Sequence, residues 1–257
     1  METAPAPWIG ALRHSHDTLQ ALVEPLDVER LQEPSYASDW SIAQVLSHLG
    51  SQSEMFGLFL EAGLSGQDPP GREAFVPLWE AWNARDPQSQ AADALQGDEA
   101  LVTRFESLNP EEIDRFHLNL FGMELDATGL VRMRLSEHAL HTWDVAVALD
   151  PAAKVAPDAV SLLVDTLGQL AARSGKPDGT KRRLHLLTTE PERHFTLETG
   201  ETVLLTDSKP DESLPELSLP AEAFVRLVYG RLDPLHTPPV ESRGADLNEL
   251  RRVFQGL

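Results

Sequence analysis

"RLSEHALHTWDVAVAL", residues 134–149, sets two histidines, a glutamate and an aspartate inside an otherwise apolar run. The apolar spacing predicts a helix from about Thr128 to Leu149. Residues advance about 100° per position around a helix. With Glu137 at zero, His141 falls at about +40°, Asp144 at about −20° and Arg134 at about +60°. Trp143, Val147, Leu140 and Met133 fill an arc from about −120° to about −40°. The polar stripe therefore flanks the apolar arc, as on the rim of a core or the wall of a cleft. His138, at about +100°, is expected in solvent, as are His14 and His16 on the first helix, one of which can line the cleft.

A Glu and a His four residues apart leave one helix face a turn apart and can share a metal ion. Alone, such a pair is more often a surface hydrogen bond. A third ligand on a second helix changes the reading, and His48 is the candidate. It lies in "WSIAQVLSHLG", residues 40–50, between Leu46 and Leu49. Bundles build metal sites from side chains on facing helices.

The surrounding chain supports a bundle. Trp8, Leu12, Leu19, Leu22 and Val23 recur at helical spacing, and Pro25 ends that segment. Ser41 and Gln44 form a capping-box pattern that opens a strong helix closing at Gly63 and Gly66. "GREAFVPLWEAWNAR" and "QAADALQGDEALVTRFESL" read as helical, with Trp82 and Asn83 as packing and turn residues. Asn109-Pro110-Glu111-Glu112 starts another helix, and "FHLNLFGMELDATG" reads as irregular. The character changes at a linker, "DPAAKVAPDAV". One helix is expected from about Pro157 to Ser174, then an antiparallel meander of "RRLHLLTT", "RHFTLET" and "TVLLTD". "LPAEAFVRLVYGRL" and "GADLNELRRVFQGL" are helical again. The expected organisation is an all-α domain, residues 1–152, followed by a smaller α+β domain, residues 153–257.

Composition narrows the partners. The 257 residues carry a formal net charge of −20, which disfavours nucleic acid and anionic membrane surfaces. No apolar run approaches the roughly 18 residues of a membrane span, and no secretory segment follows "METAPAPWIG", so the expected location is the cytoplasm. There is no cysteine, hence no thiolate ligand and no nucleophilic thiol of the chain's own. Oligomeric state is not legible.

"DWSIAQVLSHLG", followed some ninety residues later by "EHALHTWDVAVAL", resembles the mycothiol-dependent maleylpyruvate isomerase family within the DinB-like bundle superfamily. The resemblance rests on Trp40-Ser41, His48-Leu49, Glu137, His141 and Trp143-Asp144. It extends to the second half, whose helix, meander and "LPAEAFVRLVYGRL" are similar to the family's sterol-carrier-like C-terminal domain. It implies a DinB-like four-helix bundle with a small α+β domain. It also implies a divalent metal, usually zinc, on His48, Glu137 and His141, with an open position for mycothiol as thiol cosubstrate. Asp144 would orient a ligand histidine, or it is a helix-end surface residue. Arg231, in "VYGRL", matches a "WGR"-like position with Tyr229 in place of Trp. It would meet a substrate carboxylate, or it is a cation at a helix C-terminus. Arg134, on the polar stripe, is a second candidate for anion or cofactor binding. The implied activity is thiol attack on a small electrophile, as an isomerase or S-transferase. A non-catalytic metal or small-ligand binding protein and a metal-dependent hydrolase stay open as alternatives.

Overall fold

The computed structural model describes residues 4–37 and 39–256, which divide into two compact units, one ending at Ala159 and the other starting at Val160. The division falls inside a short helix. The first unit contains α1 (Ala6–Val23), α2 (Val28–Leu31), α3 (Ile42–Ser65), α4 (Val76–Asn83), α5 (Pro87–Glu106), α6 (Pro110–Arg115), β1 (Leu118–Leu120), β2 (Met123–Leu125) and α7 (Ala127–Leu149); α8 (Pro157–Leu163) spans the division.

Four long helices close a ring, with α3 packed on α5 and α7, and α1 packed on the same two. Leu19, Ile42, Val45, Leu46, Leu49 and Val145 are buried between them. The start of α3 is fixed by its own sequence. Ser41 accepts from the Gln44 N–H, and the Gln44 side chain accepts from the Ser41 N–H. Gly66 closes the helix in the left-handed conformation, φ 67°. Gly63, read as part of that stop, lies within the helix, where a Cβ would come 2.3 Å from the Phe116 ring. Gly50 is similarly occupied: a Cβ there would come 2.3 Å from the Trp82 ring. The Trp82 indole donates to Glu54 at 2.7 Å, and Asn83 accepts from Ser47 at 3.0 Å. These contacts hold α4 against α3.

The stretch read as irregular is a hairpin, with β1 antiparallel to β2. Phe121 (φ 53°) and Gly122 (φ 80°) make its tight turn. Strands of three residues are too short for alternation to declare itself.

The second unit contains α9 (Leu167–Ser174), β3 (Arg182–Thr189), β4 (Arg193–Thr199), β5 (Leu204–Asp207), β6 (Glu216–Pro220), α10 (Ala221–Val228), β7 (Glu241–Arg243) and α11 (Leu247–Val253). The helix expected from Pro157 to Ser174 is broken by a 3₁₀ turn, Val164–Thr166, between α8 and α9. The predicted meander is present as β3, β4 and β5, all antiparallel. The sheet goes further, in the order β5-β4-β3-β6-β7. Strand β6 pairs with β3 in parallel, and β7 with β6 antiparallel. Neither was expected from the sequence, where only Leu219 and Pro220, the end of β6, fall in the stretch read as helix. Helices α9 and α10 pack on the sheet. Among the described residues no helix is long and apolar enough to cross a membrane.

Candidate metal centre

Packing of α3 on α7 brings His48 to Glu137 and His141. His48 Nε2 lies 3.5 Å from Glu137 Oε2, and His141 Nε2 lies 3.8 Å from the same oxygen. One ligand atom from each of the three lies within 4.8 Å of the others. A separation of 3.5 Å is long for a hydrogen bond. It suits donors around an ion, since metal–ligand bonds of about 2.0–2.1 Å put tetrahedral neighbours about 3.4 Å apart. The donor chemistry also fits a divalent cation: two imidazoles and one carboxylate.

The surroundings aim these atoms. Asp144, fully buried, faces His141 Nδ1 at 2.8 Å. A carboxylate only accepts, so Nδ1 carries the proton and Nε2 keeps its lone pair toward Glu137. The ring of Trp40 lies over both imidazoles, 5.0 Å from His48 and 6.0 Å from His141 between centroids. Gln52 Nε2 donates to Glu137 Oε2 at 2.8 Å. Desolvation alone would raise the Glu137 carboxyl. The approach of the His48 and His141 imidazoles and the Gln52 hydrogen bond outweigh it and hold the group at about 2. Glu137 therefore stands ionised at neutral pH. Its side chain is 31% exposed and that of His48 28%, so the group opens to solvent.

A second histidine–carboxylate group lies deeper in the bundle. Asp98 on α5 meets His16 Nδ1 at 2.8 Å and Arg134 Nη2 at 2.7 Å. His138 Nε2 approaches Asp98 Oδ2 at 2.8 Å, but without the alignment of a hydrogen bond. His138 Nδ1 also meets Ser15 Oγ at 2.8 Å. The side chains of Asp98, His16, His138 and Arg134 are all at most 2% exposed. Burial would raise the Asp98 carboxyl, yet His138, Arg134 and His16 hold it well below the usual carboxylate range. Burial pushes the His138 imidazole down, against the pull of Asp98.

Three sequence expectations change here. His138 and His16 are buried rather than solvated, because α1 and α5 pack where the helical wheel left open space. Arg134 is turned into the core. Its guanidinium is fully buried and committed to Asp98, to Gln52 Oε1 at 2.9 Å and to the Leu49 carbonyl at 3.2 Å. The remaining candidates are placed as follows. His14 is exposed, bonds Asp158 at 2.8 Å, and lines a cavity of about 230 Å³ with Ser15, Trp143 and Lys154; His48, Glu137 and His141 are not among that cavity's lining residues. Arg231 lies in the second unit just after α10, where Nη1 donates to the Tyr229 carbonyl at 3.2 Å. Sequence reasoning overlooked Gln52, although it sits one turn beyond His48 on the same helix face.

A sequence profile of the mycothiol maleylpyruvate isomerase N-terminal domain matches residues 12–146. A crystal structure of the mycothiol-dependent maleylpyruvate isomerase is similar, with TM-score 0.70 and 14% identity over 95% of each chain. A histidine-to-alanine mutant of that isomerase is similar at TM-score 0.68 and 14% identity over 90% of each chain. At that identity the likeness is one of fold. No curated protein matches the sequence. The chain belongs to the mycothiol maleylpyruvate isomerase N-terminal domain family.

Proposed function

We propose, from that membership, that the chain is an enzyme holding one divalent metal ion, zinc, on His48, Glu137 and His141. It would use mycothiol to attack a small electrophilic substrate. The observation that carries this reading is the separation of the donor atoms, 3.5 and 3.8 Å, on a group that opens to solvent. When bound, such an ion lowers the pKa of a coordinated thiol and keeps it as thiolate near neutral pH. The chain has no cysteine, so the thiol has to arrive as a small molecule.

The chain's own residues prepare the site. Asp144 holds the His141 proton at Nδ1 and so keeps Nε2 available. Glu137, already ionised, needs no deprotonation before it can bind a cation. Trp40 walls the side where both imidazoles lie. Departure of the thiol after addition gives cis–trans isomerisation; retention of the thiol gives S-transfer.

Isothermal titration of the metal-loaded protein with mycothiol tests this. Saturable binding is expected, and a His48→Ala variant should lose it together with the metal. Absence of binding by the loaded wild type would overturn the thiol-enzyme reading.

A further inference from the structure

Beneath the three proposed ligands runs a hydrogen-bonded chain that ends on Glu137. Its buried end is Asp98 on α5, which accepts from Arg134 Nη2 at 2.7 Å. Arg134 on α7 then donates through Nη1 to Gln52 Oε1 at 2.9 Å. Gln52 on α3 donates through Nε2 to Glu137 Oε2 at 2.8 Å. The order of atoms is forced. A guanidinium has only donors, so the amide oxygen of Gln52 must face Arg134 and its NH₂ must face Glu137. Arg134 cannot swing away, because its side chain and that of Asp98 are at most 2% exposed and a buried charge stays with its partner. The Leu49 carbonyl holds Nη2 as well, at 3.2 Å. A fixed cation thus fixes the polarity of an amide, and the amide fixes a carboxylate oxygen. Gln52 sits one turn beyond His48, so the same helix supplies a ligand and the brace for another ligand.

We infer that Gln52 is a positioning residue of the metal centre. Backed by Arg134 and Asp98, it holds the Glu137 carboxylate where it meets His48 and His141. This rests on the metal reading of those three residues. Ligating carboxylates are themselves hydrogen-bonded, and loss of such an outer partner typically weakens metal binding about 10–100-fold.

The test is zinc affinity of the full chain, measured by competition with a chromophoric chelator, in wild type, Gln52→Met, Gln52→Ala and His48→Ala. The visible spectrum with Co(II) and the Tm of the metal-free proteins are recorded alongside. His48→Ala should lose the site. Both Gln52 variants should keep it with affinity about 10–100-fold weaker and altered Co(II) bands, and with a metal-free Tm lowered by the loss of the Arg134 acceptor. Wild-type affinity and spectrum in both Gln52 variants would overturn the inference while leaving the metal reading intact. So would a weaker affinity with wild-type Co(II) bands, which would mark a loss of stability and not of ligand position. Wild-type affinity in His48→Ala, or no zinc uptake at all, would bring down the metal reading and the inference with it.

Discussion

Among the described residues, two groups of two histidines and one carboxylate stand in the same bundle, and both bring ligand atoms within 4.8 Å of one another. Around Glu137 the nitrogens stand off at 3.5 and 3.8 Å, and the group opens to solvent. Around Asp98 they close to 2.8 Å, an arginine occupies the other carboxylate oxygen, and everything is buried. Residue type is therefore a poor guide to role. Spacing shows whether a carboxylate already has its partners, and a neighbouring arginine shows whether its charge is already matched. By both measures the Asp98 carboxylate already has its partners, whereas the Glu137 group still has room for a cation.

The contrast predicts opposite responses to removing each carboxylate. Asp98→Asn leaves Arg134 buried without its counter-charge and should cost about 3–5 kcal/mol of stability. Glu137→Gln, at a group partly open to solvent and without a buried counter-charge, should cost the metal-free protein less, about 1–2 kcal/mol. Chemical denaturation of both variants measures the difference, and equal losses would break the comparison.

Acid titration sharpens it. The Asp98 carboxyl is held below its ordinary value in the folded state, whereas in an unfolded chain it titrates at about 3.9. As pH falls below about 4, the unfolded chain takes up a proton that the folded one still refuses. The stability present above that pH is therefore lost on further acidification, through the folded-state value. The acid limb of the stability curve should be shallower in Asp98→Asn than in wild type, as read by denaturation at successive pH values.

A smaller effect is expected at Asp144. Asp144→Asn should weaken zinc binding about 10–100-fold by loosening the His141 tautomer, with chelator competition as the measurement. An unchanged affinity would make Asp144 a packing residue alone.

Much of this was legible from a single chain. The bundle, its main helix starts and the meander followed from apolar period and capping residues, since Ser41 with Gln44 and Asn109 with Glu112 carry their own hydrogen-bond logic. His48, Glu137 and His141 could be singled out because polar residues beside an apolar arc need a reason. What stayed hidden depends on neighbours rather than on period. The wheel of α7 places His138 and Arg134 correctly around its axis, but it cannot tell that α1 and α5 cover that side. The parallel pairing of β6 with β3 is likewise a long-range contact with no local signature. Gln52 was available as the residue one turn after His48, and only the orientation of Arg134 gives it meaning.

The central claim is that one of the two groups binds a metal ion and the other does not. An anomalous difference map from crystals grown with zinc tests it directly. The account predicts a peak about 2.0–2.2 Å from His48 Nε2, His141 Nε2 and a Glu137 carboxylate oxygen, and none beside Asp98. A peak at Asp98, or none at Glu137, would contradict it.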